Sequence, residues 1–170
     1  MLQEGKQQQN MISISISEVK TFMNHLLCRE TFDAFHLTEA VLTTYGLFTF
    51  DGHIHKDYYD KEEYEALYKD GYPLARWKQL RPVFFDLIKG KHTPLSFSIV
   101  FQMSRSGTEK FLSELDTSFT LEDINGLFLN LRYDAGQLTA VTGTSLKIFS
   151  LDRSLEQAWD SKIQKFILSL

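Results

Sequence analysis

The sequence predicts an α+β fold: a mostly antiparallel sheet packed by amphipathic helices, with a helix at the C-terminus. Three observations carry that expectation. Trp77, Leu80, Phe84, Leu87 and Ile88 recur at helical spacing and fall within an arc of about 100° on one helix face. Directly afterwards Leu95, Phe97, Ile99, Phe101 and Met103 alternate with mostly polar residues, the period of a half-buried strand. Across the chain, hairpins and helices are segregated rather than regularly alternating, which favours α+β over α/β.

Taken in order, Ile12, Ile14 and Ile16 alternate with serines as a short strand. Ser17 then caps a helix with Val19, Phe22, Met23, Leu26 and Leu27 on its face. A strand-rich region runs from about Phe35 to Phe50, with Gly46 marking a bulge or bend. Asp51-Gly52 is a two-residue hairpin signal that would return the chain through His53–His55. Asp60 to Glu63 has the form of a capping box opening a helix with Tyr64, Leu67 and Tyr68 on its face; Gly71 and Pro73 close it. The helix from Trp77 to Lys89 contains Pro82 on its solvent side, so either a kink or two abutting helices is expected there. Between Arg105 and Phe119 a helical turn through Phe111, Leu112 and Leu115 competes with an edge strand. Leu127, Leu129 and Leu131 alternate into Tyr133, Asp134 to Gly136 is a turn, and a strand from Gln137 to Phe149 returns. Asp152 or Ser154 caps a last helix with Leu155, Ala158, Trp159, Ile163, Phe166 and Ile167 inward.

The 170 residues are 43% hydrophobic and include fourteen Phe, enough for a single core spanning residues 11–170. The opening MLQEGKQQQN has no hydrophobic region and reads as a disordered N-terminal extension. The single Cys28 ends an apolar helical run and is expected to be buried filler. One cysteine and no secretory leader point to a reducing, cytoplasmic setting, and no apolar run is long enough to span a membrane.

Net charge is −4, but its distribution is uneven. Residues 1–72 hold six Lys/Arg and twelve Asp/Glu; residues 106–170 hold six and nine. Residues 73–105 hold six basic residues and only Asp86 among the acids, a local +5. From that stretch Arg76, Lys78, Arg81, Lys89, Lys91 and His92 form the candidate anion-binding set. A plain structural reading stands beside it: Lys89 offsets the helix dipole, and the stems of Arg76 and Arg81 cover the margins of the apolar face.

Phosphate loops, a G-x-G-x-x-G turn, a nucleophile elbow, C-x-x-C and H-E-x-x-H are all absent. The weak metal candidates are His53 and His55 in the segment Asp51–Asp57, which share a face if the strand is extended. Two histidines need a further ligand, for which Asp51, Asp57 or Glu39 is available, and no cofactor is expected. His25, His36 and His92 are scattered and read as surface or hydrogen-bonded histidines.

The runs Ile14–Leu47, Trp77–Phe101 and Phe50–Ile54 resemble a family of uncharacterised bacterial proteins, a domain of unknown function. The resemblance covers nearly all of the chain beyond Met11 and implies no activity or site residues. Four strands followed by a C-terminal helix is also similar to the order in whirly-type single-strand-binding domains, an analogy of fold alone. The resulting expectation is a non-enzymatic binding module presenting a basic surface to an acidic protein or a nucleic acid, with no membrane. Its rivals are a metal-dependent enzyme at Asp51–Asp57 and a structural homo-oligomeric module such as a homodimer.

Overall fold

Six strands, each with one apolar side, pair into one antiparallel sheet in the computed structural model, which describes residues 11–69 and 71–170. The strands are β1 (Ser13–Ile16), β2 (Phe35–Thr43), β3 (Leu47–Asp51), β4 (Ser96–Met103), β5 (Ile124–Asp134) and β6 (Gln137–Leu146), in the spatial order β1-β6-β5-β4-β2-β3. The helices are α1 (Val19–Cys28), α2 (Lys61–Tyr68), α3 (Trp77–Ile88), α4 (Arg105–Ser113) and α5 (Ser154–Leu168). The fold is α+β, as the periodicities predict. The extension expected over residues 1–10 lies outside the described residues.

Alternation decides which side of the sheet is covered. Leu37, Ala40 and Leu42 of β2, Phe97, Ile99 and Phe101 of β4, and Leu127, Leu129 and Leu131 of β5 are buried in one core with residues of α1, α3, α4 and α5. On the other side the register aligns Thr49, Val41, Ser98, Arg132, Thr139 and Ser15 across all six strands. These residues are exposed or half-buried, so that face is open to water along this row, whereas near the start of β2 it is covered and His36 and Gln102 are buried.

Aromatic rings join the layers. Trp77 at the start of α3 meets Phe101 edge-on at 5.0 Å and Phe84 at 5.0 Å, and Phe84 lies 4.5 Å from Phe50 of β3. Both tryptophans bury their N–H with a partner, as an apolar site requires: Trp77 Nε1 donates to the Leu26 carbonyl and Trp159 Nε1 to the Phe128 carbonyl, each at 2.9 Å. In α5, Leu155, Trp159, Ile163 and Ile167 are buried, with Ala158 and Phe166 partly so.

Several local expectations are corrected. Asp51-Gly52 is not a hairpin turn: Asp51 ends β3, and the turn lies at Thr44–Gly46, where the Thr44 N–H donates to the Gly46 carbonyl at 3.0 Å. Gly52 serves close backbone approach instead, because a Cβ there would sit 1.7 Å from the Leu37 carbonyl oxygen. The region from Phe35 to Phe50 is thus a hairpin, and the segment from His53 to His55 bridges to Leu74 rather than returning along β3. Cys28 is exposed, since on the helical wheel it lies opposite the side formed by Phe22 and Leu26. Glu18, not Ser17, occupies the N-cap of α1, without a side-chain cap. The stretch after Arg105 takes the helical one of its two expected forms, with Phe111 and Leu112 buried. Pro82 sits exposed within a single helix, and β6 ends at Leu146. Leu67 is more exposed than its helix face suggests, whereas Tyr68 is buried. Two strands, not four, lie between α4 and α5, so the whirly-type order is not present.

The Asp60 capping box forms as predicted, with Glu63 N–H donating to Asp60 Oδ1 at 2.8 Å and Asp60 N–H to Glu63 Oε2 at 3.1 Å. The β5–β6 turn places Ala135 at φ 50° and Gly136 at φ 79°. Both lie in the left-handed region that two-residue hairpin loops require.

Candidate anion-binding cleft

Where β2 begins and β4 ends, an open cleft of about 860 Å³ lies between the C-terminal end of α2, the segment before α3, and α4. Its wall depends on Gly52. The Leu37 N–H donates to the Ala75 carbonyl at 2.8 Å, the Ala75 N–H to the Gly52 carbonyl at 2.7 Å, and the Gly52 N–H to the Thr38 carbonyl at 2.8 Å. This ladder holds the Leu74–Arg76 segment against the first residues of β2, where His36 and Arg76 form an antiparallel bridge.

His36 lines the cleft while only 6% exposed. Its neighbours Phe35 and Leu37 face the core, so strand alternation turns His36 to the other side. His36 Nδ1 lies 2.9 Å from the Leu74 carbonyl oxygen. A carbonyl only accepts, so Nδ1 carries the hydrogen and Nε2 of the neutral ring is a bare acceptor. Burial, opposed by the bond to Leu74 and reinforced by the Arg76 charge, holds the imidazole below the ordinary histidine value. Among the described residues nothing hydrogen-bonds Nε2.

Around this ring stand Lys69, Arg76, Arg105 and Lys110, against Glu65 and Asp33. Asp33 is neutralised by Arg81, which donates through Nε and Nη2 at 3.2 and 3.0 Å. Among the described residues none of the four cations is in an ion pair. Arg76 Nη2 donates to the Leu67 carbonyl at 3.2 Å, which orients its guanidinium.

The N-terminus of α4 completes the wall. Ser104 caps it, its Oγ accepting from the Gly107 N–H at 3.1 Å, and the first turn holds no acid. The amides of Arg105 and Ser106 have no protein acceptor among the described residues. Unpartnered amides at the positive end of a helix favour an anion. Arginine forks, lysines and amides together offer many donors to a tetrahedral oxyanion.

The structure disperses the six-residue set proposed from sequence. Arg76 is in the cleft. Arg81 is spent on Asp33 with its side chain only 16% exposed, and Lys89 pairs with Asp86 at 3.0 Å. Lys78 is exposed on α3, while Lys91 and His92 follow its far end, roughly 18 Å of helix away from Arg76. His36, Lys69, Ser104, Arg105, Ser106 and Lys110 are absent from that set. The signal that could have found the last four is a serine N-cap with a following glycine immediately after an alternating strand.

At the other candidate, His53 Nδ1 bonds Asp51 Oδ1 at 2.6 Å on an exposed surface, and the two bonds from His53 hold the Asp51 carboxyl below its usual range. Among the described residues no three His, Cys, Asp or Glu side chains are grouped to hold a metal ion. Nor is any helix among them long and apolar enough to cross a membrane.

No curated protein and no solved structure matches the chain. One family model does, over residues 25–169, a span that takes in the whole sheet except β1 together with every wall of the cleft, and the chain accordingly belongs to a family of unknown function (DUF5721).

Proposed function

We propose that the protein is a binding module for a phosphate-bearing ligand, held in the cleft between α2 and α4. The observation that carries this reading is the convergence of Arg76, Arg105, Lys69 and Lys110 on one cleft that also contains the unpartnered amides of Arg105 and Ser106 at the start of α4. Arg76 and Arg105 supply bidentate donors, the α4 amides supply fixed ones, and the lysines add point charge. The molecule as a whole carries −4, so attraction is confined to this site and polyanions are repelled elsewhere.

The test is calorimetric titration of the intact chain with inorganic pyrophosphate at low and moderate salt. Binding should weaken as salt rises, because the exposed contacts are screened over about 8–10 Å. Arg76→Ala and Arg105→Ala should each weaken it about tenfold, the worth of one charge-assisted hydrogen bond. Lys91→Ala, at the far end of α3, should leave it unchanged. Equal losses in all three variants, or no binding of any phosphate at low salt, would refute the reading.

A further inference from the structure

We infer that the cleft selects a phosphate ester bearing a free hydroxyl close to its phosphate, with His36 Nε2 accepting the hydroxyl's hydrogen bond. The inference rests on the phosphate reading above and adds the ligand's second functional group. Its physical basis is a mismatch between His36 and the donors around it. Lys69, Arg76, Arg105, Lys110 and the α4 amides only donate, and a dianionic phosphate, which only accepts, satisfies them. His36 presents the opposite polarity. With Nδ1 committed to the Leu74 carbonyl, its one remaining ring nitrogen can only accept.

Position and burial turn that polarity into selectivity. His36 pairs with Arg76 in an antiparallel bridge, so their Cα atoms are about 5 Å apart. A phosphate gripped by the Arg76 guanidinium therefore brings its ester substituent within reach of Nε2. The residue is 6% exposed, so a ligand that fills the cleft strips Nε2 of its water. A methyl group placed there leaves a buried acceptor unsatisfied, and a phosphate oxygen placed there sets acceptor against acceptor. A hydroxyl satisfies it. Glu65, Ser106 and Asp33 also offer acceptors, but the first two side chains are exposed and keep their water when the ligand enters, and Asp33 already accepts from Arg81 through both carboxylate oxygens. Only the buried, orientation-locked acceptor discriminates.

The test compares 2-hydroxyethyl phosphate with propyl phosphate, which replaces the hydroxyl by a methyl group of similar size. Titrations are made at pH 8, above the second phosphate pKa of about 6, so that neither phosphate can itself donate to Nε2. Wild-type protein should bind the hydroxylated ester about tenfold more tightly, the cost of one unsatisfied buried acceptor. His36→Phe should bring the two ligands to within about twofold by weakening the hydroxylated one. His36→Gln, which keeps an acceptor on a side chain of similar reach, should retain part of the preference. Equal affinities in the wild type overturn the inference while leaving the phosphate reading standing, and need no variant to fold. A preference that survives in His36→Phe overturns the role of His36. Binding of neither ester overturns both readings.

Discussion

Replacing Gly52 by alanine tests the arrangement on which both the sheet edge and the cleft depend. A Cβ at that position would lie 1.7 Å from the Leu37 carbonyl oxygen and 3.0 Å from that of Thr38, and both obstacles are backbone. Carbon–oxygen contacts settle near about 3.3 Å, so the strands must part by roughly 1.5 Å. That separation breaks the Gly52–Thr38 hydrogen bond and strains the Ala75–Gly52 bond, now at 2.8 and 2.7 Å. Two weakened backbone bonds cost about 1 kcal/mol each and overpacking adds about 1–3 kcal/mol, for a total of about 3–5 kcal/mol. Urea denaturation followed by fluorescence of the two buried tryptophans measures it, with Gly71→Ala as the control. A methyl group at Gly71 meets nothing within 4 Å. The ladder also positions Leu74, so Gly52→Ala should weaken phosphate binding even where the protein remains folded. A stability loss under about 1 kcal/mol would mean that the backbone yields cheaply there and that the close approach does not hold the cleft wall.

Two further outcomes follow from the core and from the buried imidazole. Phe84→Ala, removing a fully buried ring that touches Trp77 and Phe50, should cost about 3–5 kcal/mol in equilibrium denaturation; a loss under about 1 kcal/mol would misplace the packing of α3. Because the folded protein holds His36 below the ordinary 6.5, the unfolded chain takes up that proton first as the solution is acidified. Stability should thus fall as pH drops through 6.5 toward the folded value, and be insensitive to this group above it. Urea midpoints at neutral and mildly acidic pH should show this slope in the wild type and a smaller one in His36→Phe. An equal slope in both would assign the effect to other groups.

The elements whose faces repeat at one period were legible in the chain. Trp77 to Ile88, Phe97 to Met103, Leu127 to Tyr133 and the α5 stripe from Leu155 to Ile167 each carry their own pattern, and burial follows it, whereas Leu95, counted with the strand by its spacing, lies before β4 and is exposed. Capping at Asp60 and the turn at Asp134 to Gly136 were legible for the same reason, because their chemistry is local. Gly52 misled because close approach and hairpin turning both call for glycine, and the atom that decides between them is the Leu37 carbonyl, supplied by another strand. The local +5 was visible in composition, yet its members are split between α3, the loop after it and the start of α4, and partly neutralised by Asp33 and Asp86. Sequence patterns report which face of its own element a residue occupies, and in that sense His36 was only a polar residue between Phe35 and Leu37. Its meeting with Leu74, 38 residues away, depends on the pairing of the segment before α3 with β2. Periodicity sets the faces of the elements, whereas the cleft arises from register between distant segments, which only the tertiary structure decides.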